Sequence, residues 1–427
     1  MKYKIITYGC QMNKSDSERL ANQLEALGFK LSEKNPDLIV FNLCSVRQSA
    51  VDRAKARINK SRGKAKIAAT GCILEKDKKE IEKITDVIFN IKYLTHLSEI
   101  LQKLGFKPKK LKTKKDYLKI EPKYSSDILA YVPIMNGCNN FCSYCVVPYV
   151  RGREYSRDKQ EILCEIKKLV KKGIKEIWLL GQNVNSYKPS FSDLLSEINE
   201  IEGDFWIRFT SSHPKDLTKK TIETIAKCQK VTPYFNLPIQ SGDDEVLKAM
   251  NRPYTVKQYK KLIKTTRQAF KKYRKGLESI PALSTDLIVG FPNESTQQFN
   301  NTKKTIKEIS FTFGYVSRYS PRPGTKAAKL KDNISPEQKK KREKQLVKII
   351  EESALKFNKK FLNKNVNVLI LKKKNNFYLG KTRHYQTIKI PVDNCNEDGP
   401  RCKPRCKFGF VKARVNKITP YGLEGKT

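Results

Sequence analysis

Three cysteines, Cys138, Cys142 and Cys145, stand in the segment GCNNFCSYC with the spacing C-x3-C-x2-C. Thiols this close in sequence point to a shared ligand role. A structural zinc ion would close with four ligands, and no fourth cysteine or histidine lies nearby. A cubane 4Fe–4S cluster held by three thiolates keeps one iron without a protein ligand. The amino and carboxylate groups of S-adenosylmethionine can chelate that open iron. An electron from the cluster then breaks the sulfonium C–S bond and makes a 5′-deoxyadenosyl radical. Cys138, Cys142 and Cys145 are therefore the candidate catalytic residues. Tyr144, just before the third cysteine, can pack against the cofactor's adenine; the alternative is an ordinary core tyrosine.

Cys10, Cys44 and Cys72 are separated by 34 and 28 residues, which matches no local motif. Each, however, directly follows a short apolar segment, in YGC, NLC and TGC. If those segments are parallel strands, all three thiols project from one carboxyl edge, where ligands bind in such sheets. This favours a second iron–sulfur cluster. A single buried cysteine would otherwise read as a small hydrophobe, as Cys164 and Cys228 do in their helical stretches. Cys395, Cys402 and Cys406 lie in DNCNEDGPRCKPRC, and with His384 they could bind zinc, although their spacing is irregular.

Other candidates sit at strand ends. Gly181, Gln182 and Asn183 in LLGQNV offer a glycine and two amides to an amino-acid moiety. Gly290 in STDLIVGFP would let the backbone approach an adenine; an ordinary turn is the alternative. Arg151, Arg153 and Arg157 follow the cysteine loop as either a phosphate clamp or a solvated basic face. Lys381 and Arg383 are further candidate RNA contacts near the C-terminus.

These residues need elements to hold them. Residues 1–105 alternate strand and helix over YKIITYG, DLIVFNL, KIAAT and DVIFN, which predicts an open parallel sheet. Ser15 and Glu18 have the spacing of a capping box for the first helix. Residues 106–123 are a Lys- and Pro-rich linker. Residues 124–330 repeat the alternation six times, from AYVPIMN to FTFGYVSRYS, predicting a complete or partial barrel with its chemistry at the carboxyl strand ends. A connecting helix over 331–360 begins at Ser335-Pro336, and residues 361–427 turn to short strands of a small β-barrel. Removing that last segment is expected to weaken RNA binding and to spare cleavage of S-adenosylmethionine.

The 427 residues carry 87 Lys and Arg (19 of them Arg) against 43 Asp and Glu, a net charge of +44. A polyanion, nucleic acid first, is the favoured partner, although a Lys-rich proteome would also raise this number. No apolar run reaches the ~18 residues of a membrane span, and MKYKIITYGC is too short an apolar stretch for a signal peptide. A cytoplasmic protein is expected. Eleven cysteines there argue for metal or catalysis rather than disulfides, and only three histidines leave little room for imidazole-rich sites.

The chain resembles the radical S-adenosylmethionine methylthiotransferases over essentially its whole length. The carrying segments are TYGCQMNKSDSE, NLCSVRQSA, ATGC, GCNNFCSYCVVPYVRGRE, LLGQNVNSY, IRFTSSHP, LPIQSGDDEVLKAMNRPYT, STDLIVGFPNE and YSPRPGT. The resemblance implies a flavodoxin-like N-terminal sheet, a partial (β/α)6 TIM-type radical core and a TRAM-like RNA-binding barrel. It implies an auxiliary 4Fe–4S cluster on Cys10, Cys44 and Cys72, and a radical 4Fe–4S cluster on Cys138, Cys142 and Cys145. One S-adenosylmethionine would supply a methyl group to a sulfur at the auxiliary cluster. A second would supply the radical that takes hydrogen from carbon 2 of an adenine. CSVR and GQNVNSY resemble the branch acting on N6-dimethylallyladenosine at position 37, beside the anticodon of tRNA. Expected partners are the anticodon stem-loop and a low-potential donor of flavodoxin or ferredoxin type. Leu43 stands where the family usually has Thr, and the Cys395–Cys406 loop looks like an insertion to which no family role is carried.

Three alternatives remain. A sister methylthiotransferase would act on threonylcarbamoyladenosine in tRNA or on an aspartate of a ribosomal protein. A cobalamin-dependent radical methylase would carry an Asp-x-His-x-x-Gly loop, which LTHLSEI lacks. A non-enzymatic zinc RNA-binding protein fits the charge but not the open three-cysteine loop.

Overall fold

A computed structural model describes residues 1–46, 48–109, 116–392 and 409–427. The N-terminal strands are β1 (Lys2–Thr7), β2 (Lys30–Leu31), β3 (Leu38–Cys44), β4 (Lys66–Cys72) and β5 (Val87–Ile88). They form one parallel sheet in the order β2-β1-β3-β4-β5, with helices α1 (Gln11–Ala26), α2 (Gln48–Ser61) and α3 (Glu75–Glu82) in its connections and α4 (Leu97–Lys103) after its last strand. β3 is buried along its whole length, as a central parallel strand covered on both faces must be. The order is flavodoxin-like, and its switch point falls between β1 and β3.

α1 corrects one expectation. It starts at Gln11, after Cys10 in extended conformation, so Ser15 and Glu18 are not its cap. Both are buried a turn further on because they face the rest of the molecule. Ser15 Oγ donates to the Tyr131 carbonyl at 3.4 Å, and Glu18 Oε1 accepts from Ser125 N and Oγ at 3.0 and 2.6 Å. Polar residues at an inter-domain contact thus imitate a capping pattern.

The second unit contains six parallel strands: β6 (Leu129–Pro133), β9 (Glu176–Leu180), β10 (Trp206–Phe209), β11 (Tyr234–Asn236), β12 (Ala282–Val289) and β13 (Phe313–Arg318). They pair as β6-β9-β10 and β11-β12-β13, and the bridge Ile207–Val231 links the two sets. Helices pack outside over Ile177, Leu179, Ile207, Phe235 and Leu283, so this is a partial (β/α)6 barrel. A short antiparallel pair, β7 (Met135–Asn136) with β8 (Tyr155–Ser156), brackets the cysteine loop, and the one-turn helix α5 (Val147–Arg151) leaves that loop.

The connecting helix (Pro336–Asn358) starts as expected, with Ser335 Oγ accepting from Gln338 N at 3.2 Å. It leads to β14 (Asn365–Lys374), β15 (Phe377–Thr382), β16 (Thr387–Pro391), β17 (Gly409–Thr419) and β18 (Gly422–Lys426), which close as β14-β15-β16-β18-β17. This barrel is not the separable attachment the sequence suggests. Its β15–β16 turn is plugged into the core around the fully buried Arg208. Arg208 donates to the carbonyls of Arg383 and Thr382 at 2.9 and 2.7 Å and pairs with Glu176. Tyr385 from that turn packs against Trp178 and Tyr234, with ring centroids 5.2 and 4.8 Å apart. Among the described residues no helix is long and apolar enough to cross a membrane.

Candidate active site

Cys10, Cys44 and Cys72 meet at the carboxyl edge of the N-terminal sheet. Cys10 is the residue before α1, and Cys44 and Cys72 are register partners on β3 and β4. Gly9 (φ +125°) permits the approach: a Cβ there would lie 2.8 Å from that of Cys44. Asn13 Nδ2 donates to Asn42 Oδ1 and the Leu43 carbonyl at 3.0 and 2.9 Å, tying the start of α1 to the end of β3. Burial pushes the Cys72 thiol up to about 12, against the opposing pull of Arg151.

Cys138, Cys142 and Cys145 lie on the loop between β7 and α5, beyond the carboxyl end of β6. Gly137 (φ +86°) starts this loop, and a Cβ there would sit 2.0 Å from the Arg153 carbonyl oxygen. Cys138 N donates to the Gly152 carbonyl at 3.1 Å, while Ser143 Oγ and N donate to the Ala249 and Met250 carbonyls at 2.8 and 3.0 Å. Burial raises the Cys138 thiol, and pushes Cys145 up to about 12. Such thiols keep their protons at neutral pH until a metal replaces them.

Each triad has one buried guanidinium on a sulfur. Arg151 Nε lies 2.9 Å from Cys72 Sγ, and Arg252 Nη1 lies 3.4 Å from Cys142 Sγ. Arg252 is fixed by the Pro238 carbonyl and the Tyr254 hydroxyl. Arg252 and Asp16 escaped the sequence reading, although NRPYT and KSDSE contain them. Among the described residues no group of three Cys, His, Asp or Glu side chains could hold a single metal ion. A cubane does not need that convergence, because each thiolate binds a different iron. The residues present fit two such clusters: three thiols in each set, a cation on one sulfur of each, and a buried Arg151 Nη1 with no partner among the described residues.

The other candidates divide. Gln182 Oε1 accepts from Gly137 N at 2.5 Å, so it braces the cysteine loop. Asn183 uses both ends of its amide, on His213 N and Asp216. Gly181 and Gly290 make room for Met135 and Lys339, whose side-chain atoms a Cβ would meet at 2.5 and 2.3 Å. Tyr144 is a partly buried residue packed against the cluster of Val246, Met250, Phe291 and Tyr319, and burial raises its hydroxyl well above the ordinary range. Of the arginines only Arg153 is exposed, its guanidinium 4.5 Å from the Phe141 ring centre. Arg151 and Arg157 are corrections to the phosphate clamp. They are buried and paired with Asp16 and Glu165, both at 2.7 Å, because the chain folds them inward. Arg383 likewise pairs with Glu278 of the core at 2.6 Å, and Lys381 bonds the Thr387 hydroxyl at 2.8 Å within the barrel. His384 is buried: its Nε2 donates to the Leu277 carbonyl at 3.1 Å, and burial lowers it to about 3. Cys395, Cys402 and Cys406 lie outside the described residues.

Comparison with known proteins agrees with this architecture. Residues 132–306 match the Radical SAM superfamily, and residues 2–91 match a family described as Uncharacterized protein family UPF0004. In solved structures, the radical S-adenosylmethionine methyltransferase TsrM from Kitasatospora setae superposes with TM-score 0.56 at 14% identity, over 77% of each chain. The cobalamin-dependent radical enzyme OxsB gives 0.52 at 12% identity, covering 82% of this chain and 56% of that one. These likenesses show the shared fold. A relative from Clostridium botulinum is 40% identical over 100% of this chain and 96% of its own length. One from Caldicellulosiruptor saccharolyticus is 36% identical over 99% and 92%. One from Carboxydothermus hydrogenoformans is 38% identical over 99% and 98%. All three carry the name tRNA-2-methylthio-N(6)-dimethylallyladenosine synthase. With one cysteine triad at a strand edge, a second on a loop beyond a strand end, and relatives matched along nearly their whole length, the chain belongs to the tRNA-2-methylthio-N(6)-dimethylallyladenosine synthase family of radical S-adenosylmethionine methylthiotransferases.

Proposed function

We propose that this enzyme adds a methylthio group to carbon 2 of N6-dimethylallyladenosine at position 37 of tRNA. The observation that carries the reading is the pair of three-cysteine edges joined by α5 and by the Arg151–Cys72 contact. Cys10, Cys44 and Cys72 would hold an auxiliary 4Fe–4S cluster, and Cys138, Cys142 and Cys145 a radical one. When bound, the clusters and S-adenosylmethionine supply the methylated sulfur and the radical that an unactivated aromatic C–H requires.

The chain's own residues position and enclose. Gly137, Gln182 and Ser143 fix the loop of the radical triad, and Asn13 and Asn42 fix the auxiliary edge. Beside that edge opens a cavity of about 870 Å³, lined by Ile73, Phe89, Tyr93, Tyr149 and Pro323 together with three lysines and two glutamates. Tyr93 and Tyr149 are 61% and 53% exposed, suited to stacking on an unpaired base, with Arg153 suited to a phosphate. A target base must leave its stack, which a single-stranded anticodon loop allows most easily. The finer parts of the proposal are the anticodon stem-loop as the docking element, a flavodoxin- or ferredoxin-type donor, and a cytoplasmic location.

The test is anaerobic turnover on dimethylallylated tRNA, threonylcarbamoylated tRNA and ribosomal protein, read by mass spectrometry. Product on the first alone is expected. Product only on the others would move the chain to a sister activity, and product on none would reject the transfer chemistry.

A further inference from the structure

Arg151 was a candidate phosphate contact, yet it is 3% exposed. Its Nη2 bonds Asp16 Oδ2 at 2.7 Å, and Asp16 on α1 is fully buried. Its Nε donates to Cys72 Sγ at 2.9 Å. Its Nη1 is buried with no partner among the described residues, which leaves one donor for a further acceptor. Buried ion pairs of this kind are often replaceable by apolar residues without loss of stability. Stability alone therefore gives no reason for placing one on a ligand sulfur.

The backbone at this residue belongs to the other triad. α5 begins two residues after Cys145 and ends at Arg151, a rise of about 7 Å. The Arg151 carbonyl accepts from Asn136 Nδ2 at 3.3 Å, and the Gly152 carbonyl accepts from Cys138 N at 3.1 Å. One residue is thus held by the radical loop through its main chain and by the auxiliary edge through its side chain. Hydrogen bonds to ligand sulfur, together with a nearby positive charge, favour the more negative, reduced form of an iron–sulfur cluster.

Resting on the two-cluster reading above, we propose that Arg151 is a positioning residue of the auxiliary cluster. Its guanidinium, oriented by Asp16, hydrogen-bonds the Cys72 sulfur, raises the cluster's reduction potential and registers that cluster against the radical loop.

The test uses the full chain carrying Cys138→Ala, Cys142→Ala and Cys145→Ala, which leaves the auxiliary cluster as the sole redox centre. Midpoint potentials are read by potentiometry monitored with electron paramagnetic resonance, with Arg151 intact, as Arg151→Lys and as Arg151→Gln. Arg151→Gln should shift the equilibrium against reduction at least tenfold, or 59 mV for one electron. Arg151→Lys, which keeps charge near Asp16 but loses the planar fork, should fall between. An Arg151→Gln protein that holds its iron yet stays within threefold of the parent overturns the proposal. Should that variant not fold, the parent labelled with nitrogen-15 in its arginine side chains decides. Pulsed resonance of its reduced cluster should show a nitrogen-15 coupling, and its absence overturns the proposal. A parent that binds no cluster overturns the two-cluster reading, and this inference with it.

Discussion

Arg208 is the place to test whether the C-terminal barrel is built into the core. Its side chain is completely buried and faces Glu176, which is 2% exposed. Truncation by Arg208→Ala takes the counter-ion from the buried Glu176 carboxylate, which keeps the Trp178 Nε1 donor, and removes the donors to the Thr382 and Arg383 carbonyls. Breaking a buried pair from one side costs about 3–5 kcal/mol. With a urea dependence of about 2–3 kcal/mol per molar, a loss of about 4 kcal/mol lowers the transition midpoint by about 1.5 M. The chain's two tryptophans, Trp178 and Trp206, both lie on this guanidinium, at 5.8 and 5.4 Å. Their fluorescence during anaerobic urea unfolding therefore reports on the junction itself. Arg208→Met combined with Glu176→Gln removes both charges and should recover much of the loss. A shift below about 0.4 M for Arg208→Ala (about 1 kcal/mol by the same slope), or a double variant no better than the single one, would refute the reasoning.

Replacing Cys138, Cys142 and Cys145 together by Ala should leave about four irons per chain by chemical assay and abolish cleavage of S-adenosylmethionine. Replacing Cys10, Cys44 and Cys72 should spare reductive cleavage to 5′-deoxyadenosine, followed by chromatography, while methylthiolated tRNA disappears. Arg153→Ala should reduce the slope of log affinity for tRNA against log salt by about 0.7, one phosphate contact; an unchanged slope would remove Arg153 from the interface. Replacing Cys395, Cys402 and Cys406 should leave turnover intact, since the ligand sets proposed for both clusters are complete without them.

The cysteine sites were legible because their signal is local: a tight C-x3-C-x2-C loop, and thiols each ending an apolar strand. The same logic exposed nearly all the strands. It missed β2, β8 and β18, since Lys30–Leu31, Tyr155–Ser156 and GLEGK carry too little apolar alternation to stand out, and only pairing with β1, β7, β16 and β17 makes them strands. Arginine direction was illegible. RGREYSR reads as one basic cluster, yet Arg151 and Arg157 turn inward to Asp16 and Glu165 from other elements while Arg153 turns outward. A charge count cannot say which partner a fold will bring. The start of α1 was misread for a related reason, because Ser15 and Glu18 serve Tyr131 and Ser125 rather than the helix end.

The N-terminal sheet is fastened to the radical core at several buried polar contacts, among them Asp16 to Arg151, Ser15 to Tyr131, Glu18 to Ser125, and Asp77 with the Ser45 carbonyl to Arg322. Read as carpentry, this is a glued joint rather than a hinged door. The gauge between the two sulfur triads is cut when the chain folds, and a substrate must be sized to it.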